Sequence, residues 1–266
     1  MSDHDVELVV RRLRTAGCVF AEDEAGLLAA EAGTPEELET LLSRRIEGEP
    51  LEHVLGWAEF CGIRVLVDAH VFVPRQRTAF LVERTAQLAA VHDHPVVVDL
   101  CCGTGAVGVA VADWLPRVEL YASDLDPVAV ACARRNLEPR GGKVFGGDLF
   151  AALPDHVRGR IDVLAVNAPY VPTDAIAMMP PEARDHELLL ALDGGFDGLD
   201  VHRRVAAVAP DWLAPGGSLL IETSTRQAPV AVEIFAANRL EPRIVHSAEH
   251  EATLVVGERR SFPPNG

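Results

Sequence analysis

The chain has a single lysine, Lys143, so arginine carries nearly all of its positive charge. Basic residues are outnumbered: 24 Lys and Arg stand against 40 Asp and Glu, for a formal net charge of −16. Such a surface repels a phosphate backbone unless a basic patch is concentrated somewhere. Arg11, Arg12 and Arg14 cluster, as do Arg134 and Arg135, but acids are interspersed throughout and both groups read as solvated helix faces. The balance argues against an autonomous DNA-binding enzyme and does not exclude an RNA or protein substrate, though direct nucleic-acid binding is not expected. No apolar run approaches the roughly 18 residues of a membrane span. The acidic start, Met1 to Glu7, lacks a signal-peptide core, so a cytoplasmic protein with no membrane partner is expected. The five cysteines, Cys18, Cys61, Cys101, Cys102 and Cys132, are odd in number and lack metal-ligand spacing. They are expected to be reduced, small and mostly buried, with no metal site. His92 and His94, two apart in a loop, are assigned to the surface. There are no repeats or low-complexity tracts, and the tail from Ser261 to Gly266 is expected to fray.

What is present suits one large domain and a small one in 266 residues. Three short helices are expected over residues 4–47. Val6, Val9, Val10 and Leu13 recur at helical spacing, and Ala25, Leu27, Leu28 and Ala29 form a second set. Thr34-Pro35-Glu36-Glu37 predicts an N-cap, a proline at the first helical position and a capping box. Residues 1–49 are thus expected to form a helical bundle, for docking a substrate or for stabilisation alone, and 50–79 a linker. Within the linker, residues 60–67 predict a β-hairpin with Ile63, Val65 and Val67 alternating. A helix follows to about His92.

From Pro95 the pattern alternates strand and helix. Strands are expected at 96–100, 118–122, 143–145, 163–166 and 219–222, with helices between them. The segment 171–197 reads as a loop with a short helix. Residues 198–213 read as a helix, and 213–218 as a turn. The last two strands, near 243–246 and 252–256, have no helix between them, which predicts an antiparallel edge hairpin on a parallel sheet. The fold class is α/β, a Rossmann-like sheet of seven strands over residues 80–260.

Two strand ends carry the chemistry. The first is Asp99-Leu100-Cys101-Cys102-Gly103-Thr104-Gly105, a glycine-rich loop opening a helix, followed by Asp124 at the next strand end. It departs from the Gly-x-Gly-x-x-Gly of dinucleotide enzymes and resembles the first motif of class I methyltransferases that use S-adenosylmethionine. That cofactor has no phosphate, so the loop need only approach its amino-acid and ribose parts. The resemblance implies Asp99, Cys101, Cys102, Gly103, Thr104 and Gly105 against the cofactor and Asp124 with Leu125 at the ribose. Asp148 would face the adenine amino group, with Leu149 against the ring. The second strand end is Asn167-Ala168-Pro169-Tyr170. Pro169 has no N–H for a ladder, so the strand must stop at Asn167, where its amide and nearby carbonyls are free.

With these pieces together, nearly the whole chain resembles the HemK-type protein-(glutamine-N5) methyltransferases, whose best-known members modify peptide-chain release factors. Asn167-Ala168-Pro169-Tyr170 is similar to the family's Asn-Pro-Pro-Tyr. Residues 50–56, 60–62 and 191–200 are similar to its linker, its hairpin and the segment after its substrate motif. The resemblance implies that Asn167, Ala168, Pro169 and Tyr170 hold an acceptor amide beside the cofactor, Asn167 contacting both. It also implies that the bundle contacts a protein substrate. Two departures stand out: Ala168 replaces the first proline, and Pro74-Arg75-Gln76-Arg77-Thr78-Ala79 replaces Pro-Arg-Pro-Glu-Thr-Glu.

Three alternatives remain from the residues alone. An N6-adenine methyltransferase uses a similar motif on a flipped base, though acidity and the lack of a basic recognition domain weigh against it. An N-methyltransferase of small molecules would not need the bundle for docking. A module with a dead site conflicts with the intact Asn167, Pro169 and Tyr170.

Overall fold

The computed structural model describes residues 3–260, with side chains from residue 6; the tail expected to fray lies outside the described residues. The first helices are α1 (Asp3–Thr15), α2 (Ala21–Glu31), α3 (Pro35–Ile46) and α4 (Leu51–Leu55). Helix α3 starts with the expected box. The Thr34 hydroxyl accepts from the Glu37 N–H at 3.1 Å, and the Glu37 carboxylate accepts from the Thr34 N–H at 3.2 Å. Val9, Leu13, Leu28 and Leu42 form the bundle's core, which continues past residue 49 to Val54, Leu55 and Trp57. Buried Arg45 of α3 donates to Glu24 at 2.6 Å and, through Nη1, to Glu182 at 2.7 Å.

Strands β1 (Trp57–Phe60) and β2 (Ile63–Leu66) pair antiparallel, Phe60 opposite Ile63. The two turn residues, Cys61 and Gly62, have φ of 51° and 74°, the backbone that matches hairpin twist. A 3-10 turn, Gln76–Thr78, leads into α5 (Ala79–Ala89), which ends three residues short of the expected His92.

The remainder is the alternating sheet: β3 (Val96–Leu100), α6 (Ala106–Trp114), β4 (Glu119–Asp124), α7 (Pro127–Leu137), β5 (Lys143–Gly146), β6 (Ile161–Val166), α8 (Pro181–His186), α9 (Leu189–Leu192), α10 (Asp200–Trp212), β7 (Leu213–Thr223), α11 (Ala228–Ala237), β8 (Leu240–Ser247) and β9 (Ala252–Arg259). Seven strands run in the order β5-β4-β3-β6-β7-β9-β8. All neighbours are parallel except β7–β9 and β8–β9, so the closing hairpin forms as expected. Every residue of β3 is buried, which is why that strand is nearly continuous in apolar residues rather than alternating, Asp99 being the one polar position. Separate cores fill the two faces, one around Leu81, Val97 and Leu220, the other around Leu100, Leu164 and Trp212.

Three expectations need correction. Residues 213–218 are not a free turn; they belong to β7. Leu213 already pairs with Ile161, and Ser218 with Val163, so the intervening residues bulge out of the ladder. Gly216, at φ 79°, makes that excursion possible. Helix α10 starts at Asp200 rather than 198, because Gly198 is at φ 76° and packs directly behind Tyr170. Strand β8 begins at Leu240 because β9 is long enough to pair with all of it. The segment 171–197 carries a 3-10 stretch, Thr173–Met178, besides α8 and α9.

Candidate active site

The sheet order reverses between β3 and β6, the place where open α/β sheets bind ligands. Leu100 pairs with Val166 at the carboxyl ends of these neighbouring strands. The loop after Leu100 and the turn after Val166 therefore emerge side by side, and both line one cleft.

The first wall is shaped by backbone. Cys101, Gly103 and Gly105 have φ of 56°, 54° and 78°. A Cβ on Gly105 would lie 2.8 Å from Leu137 Cδ1. Gly105 is buried behind the wall rather than on it, so its contribution is to the turn and to helix packing. Asp124 locks the loop: one oxygen accepts from the Gly103 N–H at 2.8 Å and the other from the Asp126 N–H at 3.0 Å. Burial pushes the Asp124 carboxyl upward. Asp99, 2% exposed, accepts from the Gly108 N–H at 3.0 Å. Its carboxyl is pushed up to about 7 by burial, a shift the Gly108 hydrogen bond opposes and the Asp124 charge adds to. Cys102 is buried and Cys101 half-buried, and burial raises both thiols well above their ordinary range, so neither is a nucleophile here. Asn136 ties this wall to the hairpin, donating to the carbonyls of Thr104 and Leu66.

Leu125, Asp148 and Leu149 also line the cleft. The Asp148 carboxylate is exposed and accepts from Arg204 at 2.6 Å, a partner the sequence did not suggest. Asp99, Asp124, Asp126 and Asp148 surround this end, while Arg204 is engaged with Asp148. Such a set of acceptors suits a cofactor bearing a sulfonium and an ammonium group, and repels a pyrophosphate.

The second wall is made of side chains. Asn167 is half-buried, and its Nδ2 donates to Thr78 Oγ1 at 3.4 Å. Ala168 is 2% exposed. The Tyr170 hydroxyl accepts from Arg77 Nη2 at 2.9 Å and donates to Glu222 Oε1 at 3.2 Å. Arg77 Nε donates to the same Glu222 oxygen at 3.2 Å, and the other oxygen, Oε2, is buried without a partner among the described residues. The Tyr170 phenol is pushed up to about 12 by burial, helped by Glu222 and opposed by Arg77. The Tyr170 carbonyl accepts from Gln227 Nε2 at 2.9 Å. Arg75, at the cleft rim, is held by buried Glu187 at 2.6 Å. The sequence marked Arg77 only as a departure from a motif and did not single out Thr78, Glu187, Glu222 or Gln227. Their partners lie 52 to 112 residues away, so no local pattern announces them.

Among the described residues no helix is long and apolar enough to cross a membrane. The family model for the methyltransferase small domain matches residues 74–179. The release factor glutamine methyltransferase of Geobacter sulfurreducens is 39% identical over 207 residues, covering 76% of this chain and 71% of that protein. The 4-amino-L-phenylalanine/4-methylamino-L-phenylalanine methyltransferase of Streptomyces pristinaespiralis is 33% identical over 236 residues, covering 82% and 80%. A methyltransferase structure from Pyrococcus furiosus, 14% identical, superposes with a TM-score of 0.54 over 83% of this chain and 98% of that one, a likeness of fold. The cofactor is S-adenosylmethionine. With the class I methyltransferase sheet and the extent of identity to the Geobacter protein, the chain belongs to the release factor glutamine methyltransferase family.

Proposed function

We propose that this enzyme transfers the methyl group of S-adenosylmethionine to the side-chain amide nitrogen, N5, of a glutamine in a protein, with a peptide-chain release factor as the acceptor. The observation that carries the reading is the adjacency of two turns: Asn167 to Tyr170 leaves β6 directly beside the Cys101–Thr104 loop leaving β3. When bound, the cofactor supplies an electrophilic methyl on a sulfonium. This chain has to deliver a poor nucleophile to it, since an amide lone pair is delocalised into its carbonyl. Two acceptors, the Asn167 side-chain oxygen and the Ala168 carbonyl, would take the two N–H groups and turn the lone pair toward the methyl. A backbone carbonyl does not need proline at 168. Tyr170 would pack on the planar amide. Alignment is the main catalytic contribution, and no strong base is needed because the proton leaves after transfer. Asp99, Cys101, Cys102, Gly103, Thr104 and Leu125 would line the cofactor site, Asp124 would accept from the ribose hydroxyls, and Asp148 and Leu149 would flank the adenine. Residues 1–49 would dock the protein acceptor.

Incubation with labelled S-adenosylmethionine and cell extract, then mass spectrometry, tests this. Label on a glutamine of a release factor is expected. The Streptomyces relative, named for a small amine-bearing amino acid, favours a second reading; label confined to the low-molecular-mass fraction would replace the first reading with it.

A further inference from the structure

Arg77 and Ala168 are both departures from the motifs around them, and the fold brings their effects to one place. The 3-10 turn Gln76–Thr78 lies across the Asn167–Tyr170 turn and grips both its ends. Thr78 Oγ1 accepts from Asn167, and the next residue back, Arg77, donates to the Tyr170 hydroxyl. The gripping turn is itself fixed: Gln76 donates to the Glu59 carbonyl at 2.7 Å, and Arg75 is held by Glu187. Glu222, whose side chain is 2% exposed, anchors Arg77 from the end of β7 and accepts from Tyr170 as well.

We infer that Arg77 is a positioning residue that braces the Asn167–Tyr170 turn through the Tyr170 hydroxyl, supplying the rigidity that a proline at position 168 would otherwise supply. Proline fixes φ in the chain itself; alanine leaves φ free, and the freedom must be removed by contacts from outside. The Arg77–Tyr170–Glu222 contacts are of that kind, and they join the turn at the end opposite Asn167. An arginine is suited to this because its planar fork bridges the hydroxyl and the carboxylate at once. The inference rests on the reading of this turn as the acceptor site.

The chain has two tyrosines, Tyr121 and Tyr170, so protein labelled with 3-fluorotyrosine gives two fluorine resonances. Arg77→Gln is expected to broaden or shift the Tyr170 resonance and leave that of Tyr121 in place. It should lower kcat about tenfold through misalignment while the dissociation constant of S-adenosylmethionine is unchanged. Arg77→Lys should recover part of kcat. Adding Ala168→Pro to Arg77→Gln should restore most of kcat and the original resonance. An Ala168→Pro effect that is the same in both backgrounds would overturn the inference, as would an unmoved Tyr170 resonance in Arg77→Gln. Should Ala168→Pro fail to fold, Tyr170→Phe closes the cycle. Arg77→Gln should then cost nothing further, and an undiminished extra loss overturns the brace. If the unaltered enzyme methylates no glutamine, the proposed acceptor fails, while the fluorine spectra still decide whether Arg77 braces the turn.

Discussion

Where the loop after β3 bounds the cleft the wall is backbone: Cys101, Gly103 and Gly105 bend it, and Asp124 pins it through two N–H groups of nearby loops. Where the turn after β6 bounds it the wall is side chains. Asn167 and Tyr170 are held by Thr78, Arg77, Glu222 and Gln227, which come from two distant stretches of the chain, 77–78 and 222–227. A wall of backbone tolerates changes in its side chains so long as its φ values survive. A wall of side chains can be retuned one residue at a time, but each change is felt by its partners.

The sharpest way to separate the two ends is Asn167→Ala. Methyl transfer should fall on the order of a hundredfold or more, while S-adenosylmethionine still binds by calorimetry; near-normal turnover would remove Asn167 from the acceptor site. Gly105→Ala attacks the other end through φ and the crowding against Leu137. Chemical denaturation should register a loss of about 1–3 kcal/mol, and an unchanged midpoint would break the claim that backbone builds this wall. Asp124→Ala should weaken cofactor binding about tenfold, as expected for a lost charge-assisted contact, and unchanged calorimetry would count against its role. A last test, of stability against pH, concerns Asp99. Its carboxyl holds its proton up to about 7 in the fold, against about 4 in an unfolded chain. The native state binds the extra proton in that window, so stability falls as pH rises through it. Without cofactor, wild type and Asp99→Asn should show the same dependence of melting temperature on pH below about 4. Between about 4 and 7 the variant should gain on wild type, and parallel curves throughout would contradict the burial effect.

The same contrast explains what could be read from the sequence. Val96–Leu100 and Val163–Val166 announce central strands because burial on both faces favours apolar residues at successive positions, Asp99 being the one exception. Thr34 and Glu37 announce a helix start because both partners of the cap lie within four residues. Asp99 to Gly105 announces a turn because its conformation is written in its glycines. Nothing local announces that Arg77 reaches Tyr170 or that Glu222 lies beneath both, since side-chain chemistry alone does not encode proximity. The course of Leu213–Gly217 was hidden for a related reason. Pro215, Gly216 and Gly217 signal a turn, but whether it leaves the sheet or bulges within it depends on the neighbouring strand β6.

Arg45 sits almost out of water, shared between Glu24 of the bundle and Glu182 of α8, on the segment that follows the Asn167–Tyr170 turn. Arg45 and Glu24 both belong to the bundle, so swinging the bundle away from α8 would part Arg45 from Glu182, and a desolvated guanidinium resists losing a counter-charge. The Arg45–Glu182 pair thus fastens the bundle to the segment that leaves the Asn167–Tyr170 turn.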